Sequence, residues 1–289
     1  MSDYLKHFGF TVTPFSTSPD PRFAHATIEH QNTVTKIAYY VAERMGVFLL
    51  KGPIGTGKTT IGYLLLDTWM GDPTMDVAYV TNPSMRLPSG FLRAILAPYG
   101  VDPHRNYQRN WDALQALLIT NYTAGKTTVL VIDEAQTISS ENLETLTHIT
   151  NLQTHDAKLI QIVLLAQPNF DVRLVSRPAL NDRIASSATL NPLSFEDTLA
   201  MLDHRLKEAG GSLPTLFPGD IPSRIYKATQ GIPRRLCVLC DNALVNAFTR
   251  GARAVDEVDL TRALNDLSHK RWGEILDPPP AVATKRGKK

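Results

Sequence analysis

Eight residues restrict this chain more than any others: Gly52-Pro-Ile-Gly-Thr-Gly-Lys-Thr59, directly after the apolar run Val47-Phe-Leu-Leu50. The spacing is that of G-x-x-x-x-G-K-[ST]. Its glycines let successive backbone N–H groups converge on an anion, and the helix that follows adds its positive end. Gly52, Pro53, Ile54, Gly55, Thr56, Gly57, Lys58, Thr59 and Thr60 are therefore expected to cradle the phosphates of a nucleotide. Lys58 would reach the β- and γ-phosphates, and the Thr59 hydroxyl would hold Mg²⁺. Such a loop needs a buried parallel strand before it and a helix after it. Val47–Leu50 and the helical pattern of Thr59–Met70 supply both.

Short apolar runs recur along the first two thirds of the chain, at Val47–Leu50, Val77–Thr81, Val129–Ile132, Leu159–Ala166 and Ala188–Leu190, with helical patterns between them. Alternation of this kind implies βαβ units, hence an α/β fold with a parallel sheet covered on both faces. Beyond Ser194 the strand signals stop, and Phe195–Ala209, Ile221–Ala228, Arg234–Thr249 and Asp256–His269 read as helices separated by glycine and proline. Four regions are expected: an N-terminal segment over 1–45 packing on the core, a nucleotide-binding core over 46–194, a small helical lid over 195–272, and a flexible basic tail over 273–289. The 289 residues, 43% hydrophobic, are enough to bury such a core.

No apolar run approaches the eighteen or so residues of a membrane span, and the N-terminus lacks a secretion-signal pattern, so no membrane insertion and a cytoplasmic location are expected. The lone pair Cys237 and Cys240 lies in a helical pattern with no second pair to complete a metal site, and reads as core. Net charge is +2, yet the tip Lys285-Arg-Gly-Lys-Lys289 carries four basic residues, so the rest of the chain has 26 basic against 28 acidic groups. Any nucleic-acid surface must then be local. Residues 224–272, with nine basic against five acidic groups, are one such region. The basic tip could touch nucleic acid or an acidic partner, or serve only as a solvated tail.

The loop implies a nucleotide, and the rest of the site must define the chemistry. Thr127-Thr-Val-Leu-Val-Ile-Asp-Glu134 is an apolar strand ending in two adjacent carboxylates. Asp133 is expected in the Mg²⁺ shell and Glu134 as the group that polarises water for in-line attack on the γ-phosphate. A small-molecule kinase would need an acceptor site instead of a water-activating Glu, and a GTPase would need N-K-x-D, which is absent. Gln167, after Ile162–Ala166, could touch the γ-phosphate or the water, or be an ordinary turn residue. Arg183 could reach a neighbouring subunit's γ-phosphate, with Arg173 and Arg177 as alternatives. Arg234 and Arg235 open a lid helix, where they oppose the helix dipole. They could couple lid angle to the nucleotide, or simply be solvated.

Taken together, GPIGTGKTT, VLVIDEAQ, the arginine of NDRI and GIPRRL resemble an AAA+ ATPase. Tyr4-Leu-x-x-Phe-Gly-Phe10, Pro14-Phe15, Pro19-Asp-Pro-Arg-Phe23 and His30 narrow the resemblance to ExeA-type ATPases, whose relatives include the transposition regulators TnsC, TniB and MuB. The resemblance spans about residues 1–270. It implies an AAA+ P-loop NTPase core with a helical lid, ATP and Mg²⁺ at subunit interfaces of a ring or helical homo-oligomer, and Arg183 acting in trans. It also implies that His30 and the N-terminal aromatic residues line the adenine side, although Phe8, Phe10 and Phe15 could equally be core.

ExeA-type secretion proteins continue into a transmembrane segment and a peptidoglycan-binding region, features this sequence lacks. The expectation is therefore weighted toward an ATP-dependent regulator of transposition that assembles on duplex DNA without reading sequence, with a transposase and a target-selection protein as partners. The resemblance puts the DNA contacts in the segment between the second and third strands, at Arg86, Arg105, Arg109 and Lys126. The other reading is an ATPase that energises or assembles a secretion or cell-envelope machine through a protein partner.

Overall fold

The computed structural model describes residues 3–17, 21–23, 27–155 and 157–268. Ala26–Pro192 form one compact unit, and the described residues before and after it form a second. Helix α1 (Asp3–Phe8) opens the chain and belongs to the second unit.

The first unit is an α/β sandwich. Its strands are β1 (Val47–Lys51), β2 (Met75–Val80), β3 (Thr127–Ile132), β4 (Ile160–Ala166) and β5 (Ile184–Thr189). All neighbours pair in parallel, in the order β2-β3-β4-β1-β5. Successive side chains on a strand point to opposite faces, and the two apolar layers sort accordingly. Phe48, Leu50, Val129, Val131, Val163 and Leu165 face helices α2 (Ile28–Ala42) and α3 (Lys58–Trp69), burying Ile37, Val41, Ile61 and Leu65. Val47, Leu49, Leu130, Ile132, Ile162 and Leu164 face the other way. They pack on α4 (Pro88–Leu96), α5 (Tyr107–Thr123), α6 (Ser140–Ile149), α7 (Phe170–Val175) and α8 (Pro178–Asn181). The sequence reads strand β5 as only Ala188–Leu190. The strand is longer, and its Ile-Ala-Ser-Ser-Ala-Thr alternates between half-buried and exposed positions because it sits at the sheet edge.

The second unit is helical, with α9 (Phe195–Glu208), α10 (Leu213–Leu216), α11 (Ile221–Thr229), α12 (Pro233–Thr249) and α13 (Glu257–Asp266) beside α1. Its apolar core includes Leu202, Leu206, Phe217, Leu236, Leu239 and Leu244. Gly231 turns the chain into α12 with φ +70, and a β-carbon there would fall 2.1 Å from the Leu193 carbonyl oxygen, so only glycine fits. Cys237 and Cys240 are free and buried in this core, and burial pushes both thiols above their ordinary value.

The segment expected as one piece over 1–45 is divided. Its end, α2, covers the sheet, whereas Phe10 and Phe15 are fully buried in the helical unit's core, Phe15 edge-on to Phe217 at 6.1 Å. Buried rings of this kind have no face to offer a nucleotide, so Phe10 and Phe15 are packing residues. The basic tail expected over 273–289 lies outside the described residues. Among the described residues no helix is long and apolar enough to cross a membrane.

Candidate active site

Strand β1 lies between β4 and β5 and delivers the glycine loop to the carboxyl end of the sheet. Ligands of open parallel sheets bind at that end. Gly57 precedes α3 with φ +104, a conformation that ordinary side chains resist, and a β-carbon on it would stand 3.1 Å from His30 Nε2. Thr56 is fully buried and its hydroxyl donates to the Pro53 carbonyl at 2.9 Å, which ties the loop to itself. Thr60 is exposed on the first turn of α3, and Ile54 is exposed at the loop's tip. The first N–H groups of a helix have no intrahelical acceptor and point along its axis, so α3 directs donors at whatever the loop encloses.

The Lys58 side chain is buried, and its Nζ donates to the carbonyls of Gly52 at 2.7 Å and Pro53 at 3.0 Å. Carbonyl oxygens position an ammonium without cancelling its charge. Next to it, Thr59 Oγ1 donates to Asp133 Oδ2 at 2.7 Å, so the two residues expected around Mg²⁺ are in contact. Asp133 is only 4% exposed at the end of β3. Its other oxygen, Oδ1, accepts from the Glu134 backbone N–H at 2.8 Å. A third donor is Tyr79 of β2, whose hydroxyl reaches Oδ2 at 3.1 Å. Burial, and next the Asp133 charge, push the phenol above its ordinary value, so it is a neutral donor.

Glu134 stands in the left-handed region, φ +51, where the chain breaks from β3. Non-glycine residues held there store strain, a condition concentrated at functional sites. Its Oε2 accepts from the side chains of Gln136 and of Gln167, the latter at 3.2 Å, and the Gln167 N–H donates to Gln136 Oε1 at 3.0 Å. The structure thus brings Glu134 and Gln167 together, as the sequence suggests, with Gln136 between them. Gln136 was visible as the last residue of Asp-Glu-Ala-Gln, and its role depends on the neighbouring strand end. Arg173 donates to the carbonyls of Gln136 and Ile138, and burial lowers its ordinary value. It braces the turn behind Glu134. His30, fixed by a 2.6 Å contact between Nδ1 and Thr27 Oγ1, sits against Gly57.

Arg183 lies at the opposite end of the sheet. Arg183 immediately precedes β5, whose first residue Ile184 pairs with Val47 while Thr189 pairs with Lys51. It is therefore about 20 Å from the loop's end of the sheet, at 3.3 Å per strand residue. Its guanidinium donates to Asn151 Oδ1 at 2.7 Å and to the Ala179 carbonyl. Arg177 is half-buried at the start of α8. Arg86, Arg105 and Arg109 are exposed after β2 and around the start of α5. Lys126 is exposed at the far end of that helix, just before β3. The 17-residue helix separates it from Arg109 by about 25 Å at 1.5 Å per residue, so the four do not form one basic patch. In the helical unit, Arg234 is exposed and Arg235 buried in the first turn of α12.

A cradle that a β-carbon would fill, a buried ammonium, and a hydroxyl already paired to a buried carboxylate fit a nucleotide triphosphate with Mg²⁺. Residues 20–174 match the AAA domain family. The chain belongs to that family. Over 272 residues it is 33% identical to the general secretion pathway protein A of Aeromonas hydrophila, a match covering 92% of this chain and 48% of that protein. The chain thus spans about half the length of that relative. The AAA fold is shared with Drosophila ORC bound to DNA, at TM-score 0.71 and 18% identity over 92% of this chain and 66% of that one. It is shared too with the Aeropyrum pernix ORC2 protein, at TM-score 0.66 and 18% identity over 89% of this chain and 72% of that one.

Proposed function

We propose that this AAA domain is a Mg²⁺-dependent ATPase that works as a homo-oligomer and serves a secretion or cell-envelope assembly through a protein partner. The observation that carries the ATPase reading is the chain of contacts from Thr59 through Asp133 to Glu134 and Gln167, next to the buried Lys58 ammonium. Lys58 and the loop N–H groups would hold the phosphates, and Thr59 with Asp133 would hold Mg²⁺. Bound Mg²⁺ would neutralise charge growing on the β- and γ-phosphate oxygens. Glu134 would take a proton from water at its carboxylate, while Gln136 and Gln167 fix the direction in which that carboxylate points. Arg183, too far from its own loop, would serve the loop of a second subunit.

The likeness to general secretion pathway protein A supports the secretion reading over the transposition regulator expected from the sequence. The DNA reading, with a transposase and a target-selection protein as partners, retains the exposed Arg86, Arg105 and Arg109 in its favour. One experiment separates them. ATP turnover and binding to a labelled duplex are measured with and without a non-hydrolysable ATP analogue at two salt concentrations. The secretion reading expects turnover indifferent to DNA. Nucleotide-dependent duplex binding that collapses with salt would transfer support to the DNA reading, since backbone contacts release counterions. Absence of Mg²⁺-dependent turnover in the oligomer would sink the ATPase reading itself.

A further inference from the structure

Helix α3 carries a glycine in its interior, Gly62, where alanine would be more stable by about 1 kcal/mol. What lies against it explains the choice. A β-carbon on Gly62 would meet the Tyr79 ring and its hydroxyl oxygen, both at 2.8 Å, and Leu165 at 3.0 Å. Atoms essentially never approach that closely, and a ring wedged between a helix and a strand has no flexible end to bend away. Gly62 is therefore the gap through which Tyr79 passes to reach Asp133. The ring is also stacked by Tyr63, with centroids 5.4 Å apart and planes 13° from parallel.

The sheet sets the aim. Tyr79 pairs in register with Val131, two residues before Asp133, so Tyr79, Val131 and Asp133 project from the same face of β2 and β3. Thr59 and Gly62, one helical turn apart, are on the side of α3 that lies on this face. The Tyr79 hydroxyl and Thr59 Oγ1 converge on a single oxygen, Asp133 Oδ2, at 3.1 and 2.7 Å.

We propose that Tyr79, admitted by Gly62 and clamped by Tyr63, is a positioning residue that holds the Asp133 carboxylate in the orientation in which it serves Mg²⁺ beside Thr59. The proposal rests on the Mg²⁺-ATPase reading above. The Tyr79 hydroxyl bonds Asp133. Tyr79 acts through Asp133, and removing its hydroxyl leaves the ring, the stacking and the gap in place while freeing Oδ2 from one of its two side-chain donors.

The test compares Tyr79→Phe, Gly62→Ala and the parent protein in three measurements. Mn²⁺ binding to the protein with ADP is followed by electron paramagnetic resonance. The Mg²⁺ concentration for half-maximal ATP turnover is determined, and thermal melting is recorded without nucleotide. Tyr79→Phe is expected to weaken Mn²⁺ binding and raise the Mg²⁺ midpoint by roughly tenfold, the size of a hydrogen bond to a charged group, with a smaller fall in the rate at saturating Mg²⁺. Nucleotide affinity in chelator and the melting temperature should stay close to the parent's. Gly62→Ala should shift the metal midpoint in the same direction by displacing the ring, and adding it to a Tyr79→Ala background should move the midpoint no further. An unchanged metal midpoint in Tyr79→Phe would overturn the proposal while leaving the ATPase reading intact. A tighter midpoint would overturn it by showing that the phenol competes with the metal. A parent protein that binds no nucleotide would overturn both.

Discussion

The two ends of the parallel sheet are made by the same five strands and hold their charged groups differently. At the carboxyl end, donors converge on carboxylates: Thr59, Tyr79 and the Glu134 N–H on Asp133, and Gln136 and Gln167 on Glu134. At the amino end, cations meet neutral oxygens. Arg44 donates to the Lys126 carbonyl and Thr127 hydroxyl, and Arg183 to Asn151 and the Ala179 carbonyl. A carboxylate ringed by donors is fixed in place, whereas a guanidinium bonded to neutral amides keeps its charge available to an anion from outside. One end is therefore organised around a phosphate held by its own loop. The other offers charge that its own loop cannot use.

Four substitutions test that contrast. The largest effect is expected from Lys58→Ala, which removes the buried cation of the carboxyl end and should weaken ATP binding on the order of a hundredfold or more, read by calorimetry. Glu134→Gln should retain ATP binding and lose turnover by about 10²–10⁴, the share of a general base. Turnover at the parent rate would exclude Glu134 as that base. Arg183→Ala should slow turnover with nucleotide affinity per subunit nearly intact. Trans arginines are worth about 10³–10⁵ in GTPases, so the loss should not exceed about 10⁵. Mixing Arg183→Ala with Lys58→Ala protein should restore part of the activity, because each supplies the end that the other lacks. Failure of that mixture would remove the amino end from the catalytic unit. The smallest effect is expected from Lys126→Ala, within about 0.5 kcal/mol in melting experiments and with no change in turnover, as for an exposed side chain away from any site.

Those outcomes bear on what was legible in the sequence. The loop, both carboxylates and Gln167 were readable because each is fixed by local order: a glycine spacing, or a polar residue where an apolar strand stops. Four of the five strands were readable within two residues for the same reason. Strand β5 was mostly missed because an edge strand of alternating small and polar residues has no continuous apolar run to signal it. The role of Tyr79 was not legible for a different reason. Its partner Asp133 ends the neighbouring strand, and only the register of the sheet brings the two within reach, as it brings Gln167 to Gln136. The resemblance groups Lys126 with Arg86, Arg105 and Arg109 in the segment between β2 and β3, although helix α5 carries Lys126 to the other end. The sequence leaves Phe10 and Phe15 open between a ligand platform and core, since nothing local distinguishes the two uses, and both are packing residues.

The place of β1 has a consequence for the order in which the molecule forms. Val47 pairs with Ile162 on one side and Ile184 on the other, so both edges of the strand that launches the glycine loop wait for partners far downstream. Chain-closure entropy over such separations must be overcome before the pairing rewards it, which makes contacts of this kind slow to form. On a ribosome, β1 gains its second neighbour only after the segment through Thr189 has emerged, at about 5–20 residues per second. Nucleotide affinity should thus arise late in synthesis, after most of the AAA sheet has left the exit tunnel.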